Sequence, residues 1–502
     1  MYRKRMVSVV LGTALVLAGC AAGSGEDSDA AAAAEPLWHF NSFANPGYPT
    51  ETEDNAVLQY MIEQSGVDVR IETISVDDFD TKLQLYAAAG TLPDFWHHNV
   101  DIALNTAEWK AQGLIQPVGD LIAEHAPELF DFIPQAALDA VTIDGEIYAI
   151  PSGFNPDDPA GGFTISGLVL REDWLDNLGL TVPQTLDQLY QVLWAFTYED
   201  PDGNGEDDTF GLGSSDNLDS LAVIANAFGV HPLHWYEQDG QLVRGDLTER
   251  YLEALQVTRD WYEAGVIDPE FAAIDYASLQ AKVINSQIGA LGAHVWFPHP
   301  RWHVLPVLRD QVPEAELTMI PAVEGPHGDR GYGPGNALLQ TVWISSQAEQ
   351  PERIMQLLSW LATGTNHLVP RFGIQGVDWE LNEAGTGYNW LSAPLQGDQN
   401  DRVAYGLGNA SRMWPVIDRT AWRPEIEASF QAIEAHLLDN RFIGAVPAMS
   451  EYTDIDSLLQ EAFVLYIIGR SSVDDVRRAQ DAWYAEGGSE ITAQVNAHVG
   501  MR

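Results

Sequence analysis

The sequence predicts an α/β protein, and three observations predict it. From Pro36 onward, segments with a helical period alternate with short runs of strand period, the pattern of open sheets covered by helices. The chain has 502 residues, enough for two or three domains. Its composition, 46% hydrophobic and 10% aromatic, supplies packed cores and excludes a disordered scaffold.

The elements follow in order. Asn55 to Gln64 places Val57, Leu58, Met61 and Ile62 on one helical face, and Gly66 supplies the stop. Val67, Val69 and Ile71 then alternate with Asp68, Arg70 and Glu72, the period of a half-buried strand. A second helix carries Phe79, Leu83 and Tyr86 and ends at Gly90, before Leu92-Pro93-Asp94. Thr185 and Gln188 fit a capping box for the helix that carries Leu189 and Leu193. Pro351 opens another helix, whose Ile354, Leu357, Leu358 and Leu361 form an apolar stripe. No internal repeat of solenoid period is present.

Charge narrows the function. Asp and Glu number 73 against 25 Lys and Arg, only four of them lysines, for a net charge of −48. A face that binds nucleic acid by neutralising phosphates is excluded in practice, and the self-repelling surface suits a saline or extracellular medium. The only cysteine is Cys20, which rules out an internal disulfide and any thiol-based metal or redox site.

Arg3, Lys4 and Arg5 precede an apolar run from Met6 to Ala18 that is short for a membrane span. The run closes on Leu17-Ala18-Gly19-Cys20, which resembles a bacterial lipoprotein signal, in which the cysteine thiol receives a diacylglycerol. Residues 1–19 are therefore expected to be a signal peptide and 20–35 a flexible, acidic tether. The expected location is the extracytoplasmic face of the cell membrane, held by lipid on Cys20.

Four landmarks carry a wider resemblance: Leu92-Pro93-Asp94, the segment Asp144 to Pro151, the segment Arg171 to Leu180, and Trp261 to Phe271. In this order they resemble extracellular solute-binding proteins of carbohydrate ABC importers, nearest the large lipoprotein branch that includes alginate-oligosaccharide binders. The resemblance implies a periplasmic-binding-protein-like fold of two discontinuous α/β lobes, a hinge, and a ligand cleft between the lobes. It places lobe 1 at 36–150 and 288–345, and lobe 2 at 151–287 and 346–502. It also implies crossings near Pro151, near Ile288 to Trp296 and near Thr341 to Ser346.

Asp200-Pro-Asp-Gly-Asn-Gly-Glu-Asp-Asp208 is the sharpest local motif. Oxygen donors at the first, third and fifth positions, glycine at the sixth and a carbonyl at the seventh suit a wrapped Ca²⁺ ion. Asp200, Asp202, Asn204 and Glu206 take those places, but Gly211 stands where an EF-hand has its bidentate Glu. The resembled branch implies a ninth-position ligand, Asp208, and has an acid at the tenth where this chain has Thr209. The ion would be structural; the plain alternative is a solvated Asp/Gly turn.

Aromatic residues in irregular stretches give the second signal. Sugar rings offer apolar C–H faces ringed by hydroxyls, so their sites combine flat aromatic platforms with polar side chains. Trp235 and Trp296 fall where the resembled proteins approach the cleft, and Trp414 has Arg412 near it. Trp96, Asn45, Asn155 and Asn336 are further candidates, and for any one of these residues core packing is the competing explanation. His97-His98, His231 with His234, and His294 with His299 and His303 lack the ligand spacing of a zinc site.

Enzyme signatures are missing: no phosphate-binding lysine loop, no Gly-x-Ser-x-Gly elbow, and no cysteine beyond Cys20. Asp378 and Glu380, which flank Trp379, are the one carboxylate pair worth naming for a glycosidase. The expectation is a non-catalytic, monomeric binding protein that delivers an oligosaccharide to an ABC permease. An extracellular carbohydrate-active enzyme and a binder of peptides or another solute are the alternatives.

Overall fold

The computed structural model describes residues 35–42, 55–99, 102–133, 135–152, 166–295, 297–300, 304–333, 340–381, 388–391, 427–442, 446–452 and 454–500. Two sheets organise the part from Pro36 onward. The first has strands β1 (Leu37–Asn41), β2 (Val69–Thr73), β3 (Phe95–Asn99), β4 (Ile150–Ser152) and, from much later in the chain, β9 (Gln340–Ile344). Their order is β2-β1-β3-β9-β4, with β1, β2 and β3 parallel and β9 antiparallel to its neighbours. The second contains β5 (Ser166–Arg171), β6 (Phe210–Gly213), β7 (Ile288–His294) and β8 (Leu317–Met319), in the order β8-β5-β7-β6.

Local signals explain the helices. In α1 (Ala56–Ser65) the Asn55 side chain accepts from Leu58 N–H, and Gly66 closes the helix at φ 70°, a left-handed value that glycine adopts without strain. Val57, Leu58 and Met61 are buried as their period requires, while Ile62 is only half-buried. Helices α2 (Val76–Ala89) and α3 (Ile102–Ala111) follow, and Phe79 and Leu83 of α2 are buried in the first core. Helix α4 (Leu186–Tyr198) is capped by Thr185, whose hydroxyl accepts from Gln188 N–H at 3.2 Å. The reciprocal half of the expected capping box shifts by one residue, because Gln188 Oε1 accepts from Gln184 N–H at 2.8 Å. Helix α5 (Glu249–Glu263) lies in the second core through Leu252, Leu255 and Trp261.

Each sheet has its own apolar core, and these cores correct the expected lobe boundaries. Strand β7 is hydrogen-bonded between β5 and β6, so Ile288–His294 belongs to the second body, not the first. Its run of Ile, Gly, Ala and Leu is what a strand buried on both faces needs, and that composition does not specify which sheet receives it. Strand β8 and Tyr332 also lie in the second core. Conversely, α6 (Pro351–Ala362) packs Ile354, Leu357, Leu358 and Leu361 into the first core, where 346–502 had been assigned wholly to the second lobe. The C-terminal helices α7 (Ile455–Ile467) and α8 (Val473–Trp483) return to the second core. A short helix of that body, Pro447–Glu451, comes against α3 of the first.

Candidate functional site

The strand directions point to one region. Strands β1, β2 and β3 end at Asn41, Thr73 and Asn99, and β9 begins at the same edge, with Gln340 opposite both Asn99 and Ser152. In the second sheet β6 and β7 end at Gly213 and His294, and β5 begins opposite His294 at Ser166. The chain leaves the first sheet at Ser152 and enters the second at Ser166, then returns to the first at Gln340. The first crossing thus departs from and arrives at the carboxyl ends of parallel strands, and the second arrives at that edge of the first sheet, where open α/β sheets bind ligands. Gly333 still touches the second body and Gln340 is already in the first sheet, so the second of these crossings spans at most about 25 Å.

Polar side chains gather at both edges. Asn41 donates its amide to Thr73 Oγ1 at 3.1 Å, and Ser42 N–H donates to His97 O at 3.3 Å. On the other edge the turn Ser214-Ser215-Asp216-Asn217-Leu218-Asp219 follows β6 directly. Ser215 Oγ donates to Asn217 Oδ1 at 2.9 Å, and Asn217 Nδ2 donates to Asp219 Oδ2 at 2.9 Å. The Asp219 carboxyl reaches solvent, yet the protein around it desolvates it and pushes its pKa up to about 6. Sequence reasoning missed this turn. Its run of Ser, Asp and Asn was visible as a loop signal, but its position at a strand end was not.

Two expected platforms are packing residues. Trp235 is 3% exposed in the second core, its ring edge-on to Phe442 at 6.4 Å and its N–H bonded to Asn440 Oδ1 at 3.1 Å. Trp96 is fully buried in the first core, edge-on to Trp109 at 5.6 Å. Neither offers a face to a ligand. In both cases adjacent apolar strands claim the ring, and the irregular flanking sequence hid that. Asn45, Asn155, Trp296, Asn336, Arg412 and Trp414, together with Cys20, lie outside the described residues. Asp378 Oδ2 accepts from Ile374 N–H at 2.7 Å and so holds its own loop, while Trp379 is buried between it and Glu380.

Three of the candidate histidines are neutral core groups. His231 and His234 stack at 4.1 Å, and burial lowers their pKa values to about 4 and about 2. His98 stacks on Phe79 at 4.0 Å and is lowered to about 3. Among the described residues no group of three or more His, Cys, Asp or Glu side chains is drawn together as a metal centre.

The loop 200–208 nevertheless has the donors of a hard cation. Asn204 Nδ2 donates to Asp202 Oδ2 at 2.9 Å and to Asp208 Oδ1 at 3.3 Å, so two carboxylates face one point. Gly205 N–H donates to Asp200, and Glu206 N–H to Asn204 Oδ1 at 2.6 Å. Burial and the nearby Asp208 and Asp200 raise the Asp202 pKa, a like-charge conflict that a cation would relieve. At Gly211 an added Cβ would stand 2.3 Å from Leu193 O, so packing of β6 on α4 excludes the twelfth-position Glu of an EF-hand.

Comparison with known proteins decides the family. A model described as bacterial extracellular solute-binding protein matches residues 48–364, more than half of the chain. The chain belongs to that family. Its relatives include the lipoprotein LipO of Bacillus subtilis, 23% identical over 98% of both chains. The fructooligosaccharide ABC transporter substrate-binding protein FusA of Streptococcus pneumoniae is 30% identical over 54% of this chain and 52% of its own. FusA in complex with kestose superposes with a TM-score of 0.72 at 20% identity, covering 93% of this chain and 99% of that one. The alginate-binding protein AlgQ2, solved without calcium, gives 0.71 at 18% identity over the same shares. These structures share the fold: two α/β bodies of the substrate-binding-protein type. The family is one of extracellular solute-binding proteins, not of enzymes.

Proposed function

We propose that the protein is a membrane-anchored receptor that captures an oligosaccharide and presents it to an ABC permease. The observation that carries this reading is the shared edge: two separate cores are joined by chain crossings at the carboxyl ends of their strands. A ligand held there touches both bodies only when they approach, so binding shifts the population toward the closed form, which a transporter can distinguish from the open one. FusA, by its description, is a fructooligosaccharide transporter's binding protein, which supports the carbohydrate class. Trp296, Trp414 and Arg412, with Asn45, Asn155 and Asn336, are the proposed sugar contacts. Lipidation of Cys20 would keep the receptor beside its permease, acting as a monomer.

Calcium is the proposed structural cofactor, with Asp200, Asp202, Asn204, Asp208 and the Glu206 carbonyl as its oxygen donors. A solved FusA variant is described as an EF-hand mutant, which supports a cation loop in this group of proteins. The ion would join the loop after α4 to the start of β6 and take no part in chemistry.

The test is direct binding. Tryptophan fluorescence should titrate with one class of oligosaccharide, and no new reducing ends should form on prolonged incubation. Cys20→Ser should release the protein from the membrane fraction or leave it unprocessed. A flat titration across a broad glycan panel would overturn the proposal.

A further inference from the structure

We propose that the second body carries another carbohydrate site on its outer surface, a groove between α4 and α5 that holds a short stretch of a glycan chain. This goes beyond the cleft reading above, and its test separates the two.

Helix α4 turns Leu189, Val192, Leu193 and Phe196 into the second core. It lies so close to the sheet that a Cβ on Gly289 of β7 would stand 2.3 Å from the Phe196 ring. The opposite face of α4 therefore points away from the sheet whose strand ends line the cleft. There α4 and α5 flank a cavity of about 560 Å³, whose walls include Asp187, Tyr190, Gln191, Asp260 and Trp261. Small-ligand sites have volumes of roughly 300–1,000 Å³. Tyr190, Trp194 and Tyr198 recur every four residues, so they follow one another along this face over about 12 Å. Most described tryptophans are buried in a core, but Trp194 is 40% exposed, and its ring meets that of Tyr198, 50% exposed, at 5.2 Å. Both ends of the row are fixed. The Tyr198 hydroxyl donates to Ala264 O at 2.7 Å, and the Tyr190 ring lies 5.7 Å from that of Trp261. A contiguous, held aromatic strip on the solvent side of an amphipathic helix marks a binding surface.

The chemistry of the walls names the occupant. Asp187 and Gln191, one helical turn apart beside the aromatic row, make no hydrogen bond or ion pair among the described residues, while Asp260 Oδ1 accepts from Gln256 Nε2 at 2.7 Å. Flat rings next to open carboxylate and amide groups match a sugar, whose C–H faces stack and whose hydroxyls donate and accept. A bilayer surface also takes exposed Trp and Tyr, but an anionic leaflet would meet Asp187, Asp260 and a chain of net charge −48. A basic peptide would find carboxylates all over such a chain, whereas this strip of rings is confined to one face. Weak attachment of a polymer here would keep its fragments near the cleft at a raised effective concentration.

The experiment runs the full mature chain, kept free of lipid by Cys20→Ser, on native gels cast with soluble levan, starch, mannan, xylan or pectate. Each gel is repeated with an oligosaccharide of the same polymer, at a concentration that fills only the tighter cleft. One polymer should slow the protein, and part of that slowing should persist with the cleft filled. Trp194→Ala should weaken the persistent part by roughly tenfold or more and Gln191→Ala by roughly threefold. Calorimetric titration of the cleft and the melting temperature should stay at wild-type values in both variants, because both side chains face solvent. If the slowing vanishes once the cleft is filled, or is the same in Trp194→Ala, the groove is overturned and the cleft reading stands. Slowing that depends on Trp194, without any oligosaccharide titrating, would overturn the cleft reading and leave the groove. Slowing by no polymer would overturn the groove, and flotation of wild type but not Trp194→Ala with phosphatidylcholine–phosphatidylglycerol vesicles would assign the strip to a membrane surface instead.

Discussion

Both bodies bury neutral imidazoles, but the second also buries an ion cluster. In the first, His39 is fully buried against Phe95 at 4.6 Å, and neither ring nitrogen has a hydrogen-bond partner among the described residues. It stays neutral, its pKa held well below the usual value by burial and then by His97. In the second, a charged group is buried as well. Arg244, 7% exposed, makes paired bonds to Asp246 (2.8 and 2.9 Å) and to Asp456 (2.8 and 2.9 Å) while its guanidinium lies over the Trp483 ring at 4.7 Å. Trp483 Nε1 in turn donates to Asp456 at 2.8 Å, so the cluster ties the strand Gln241–Arg244 to α7 and α8. A neutral imidazole is cheap to bury until it must take a proton; an ion cluster is stable only while complete. Acid should therefore act on both bodies, because the second also buries His231 and His234, while loss of a partner should act on the second.

The largest effect expected is on that cluster. Arg244→Ala leaves Asp246 buried beside Asp456 with no cation, and should cost about 3–5 kcal/mol. Denaturant titration with probes in each body would show the second unfolding first. Restoring neutrality with Asp246→Asn on the same background should recover part of the loss. A variant as stable as the wild type would show that water, not the cluster, satisfies these groups.

Acid should act next, and mainly through imidazoles. His39, His98, His231 and His234 all have folded-state pKa values below their unfolded value of about 6.5. Below that pH the unfolded state binds more protons than the folded one, so stability falls as pH falls, by about 1.4 kcal/mol per pH unit for each such histidine. Asp219 and Asp246 work the other way: raised to about 6 by burial, they favour the fold as pH falls from 6 toward 4, offsetting two of the four histidines. Stability should thus decline as pH falls from 6.5 to 5, with a net slope set by about two histidines. His39→Phe, which can stack on Phe95 as the imidazole does, should remove one proton from the slope of unfolding free energy against pH. An unchanged slope would mean that His39 is protonated in the fold.

Calcium should have a moderate effect, confined to the second body. A ligand that binds only the native state stabilises it by about 2.7 kcal/mol at a hundredfold excess over its dissociation constant. Chelation should lower the melting temperature of wild type and not that of Asp202→Ala. Magnesium at equal ionic strength is the control for simple screening of a chain with net charge −48. Equal shifts with both ions would leave the loop without a cation role.

Legibility followed how local each signal was. Helix α1 could be read because Asn55, the apolar stripe and Gly66 lie within a dozen residues. The 200–208 loop could be read because all its donors are neighbours in the chain, and the structure does bring Asp202 and Asp208 onto one amide. Strand β7 could be read as a strand but not assigned to a sheet, because its partners β5 and β6 are set by crossings distant in sequence. Trp96 and Trp235 were misread for the same reason: their neighbours Trp109 and Phe442 cover the rings from elsewhere in the chain. The Ser214–Asp219 turn became a site only when β6 and β7 put it at the strand ends.

The smallest effect expected sharpens the contrast between fold and site at Leu218. Its φ of 62° costs an ordinary side chain about 1 kcal/mol or more, whereas Asn tolerates this conformation through local hydrogen bonding. Leu218 is half-buried and packs against the second core, so Leu218→Asn also gives up some apolar contact. The two terms oppose each other, and net folding stability should move by less than about 1 kcal/mol. Asn keeps the left-handed residue between Asn217 and Asp219, and with it both bonds that orient the carboxylate. Oligosaccharide affinity should therefore stay within about twofold of wild type. Leu218→Pro is the counterpart: proline fixes φ near −65° and removes the N–H that bonds to Ser215 O at 2.9 Å, so the turn cannot keep its form. If denaturation midpoints show both variants folded, only the proline variant should lose affinity. Equal affinity in the two would mean that the geometry of this turn does not matter to the ligand.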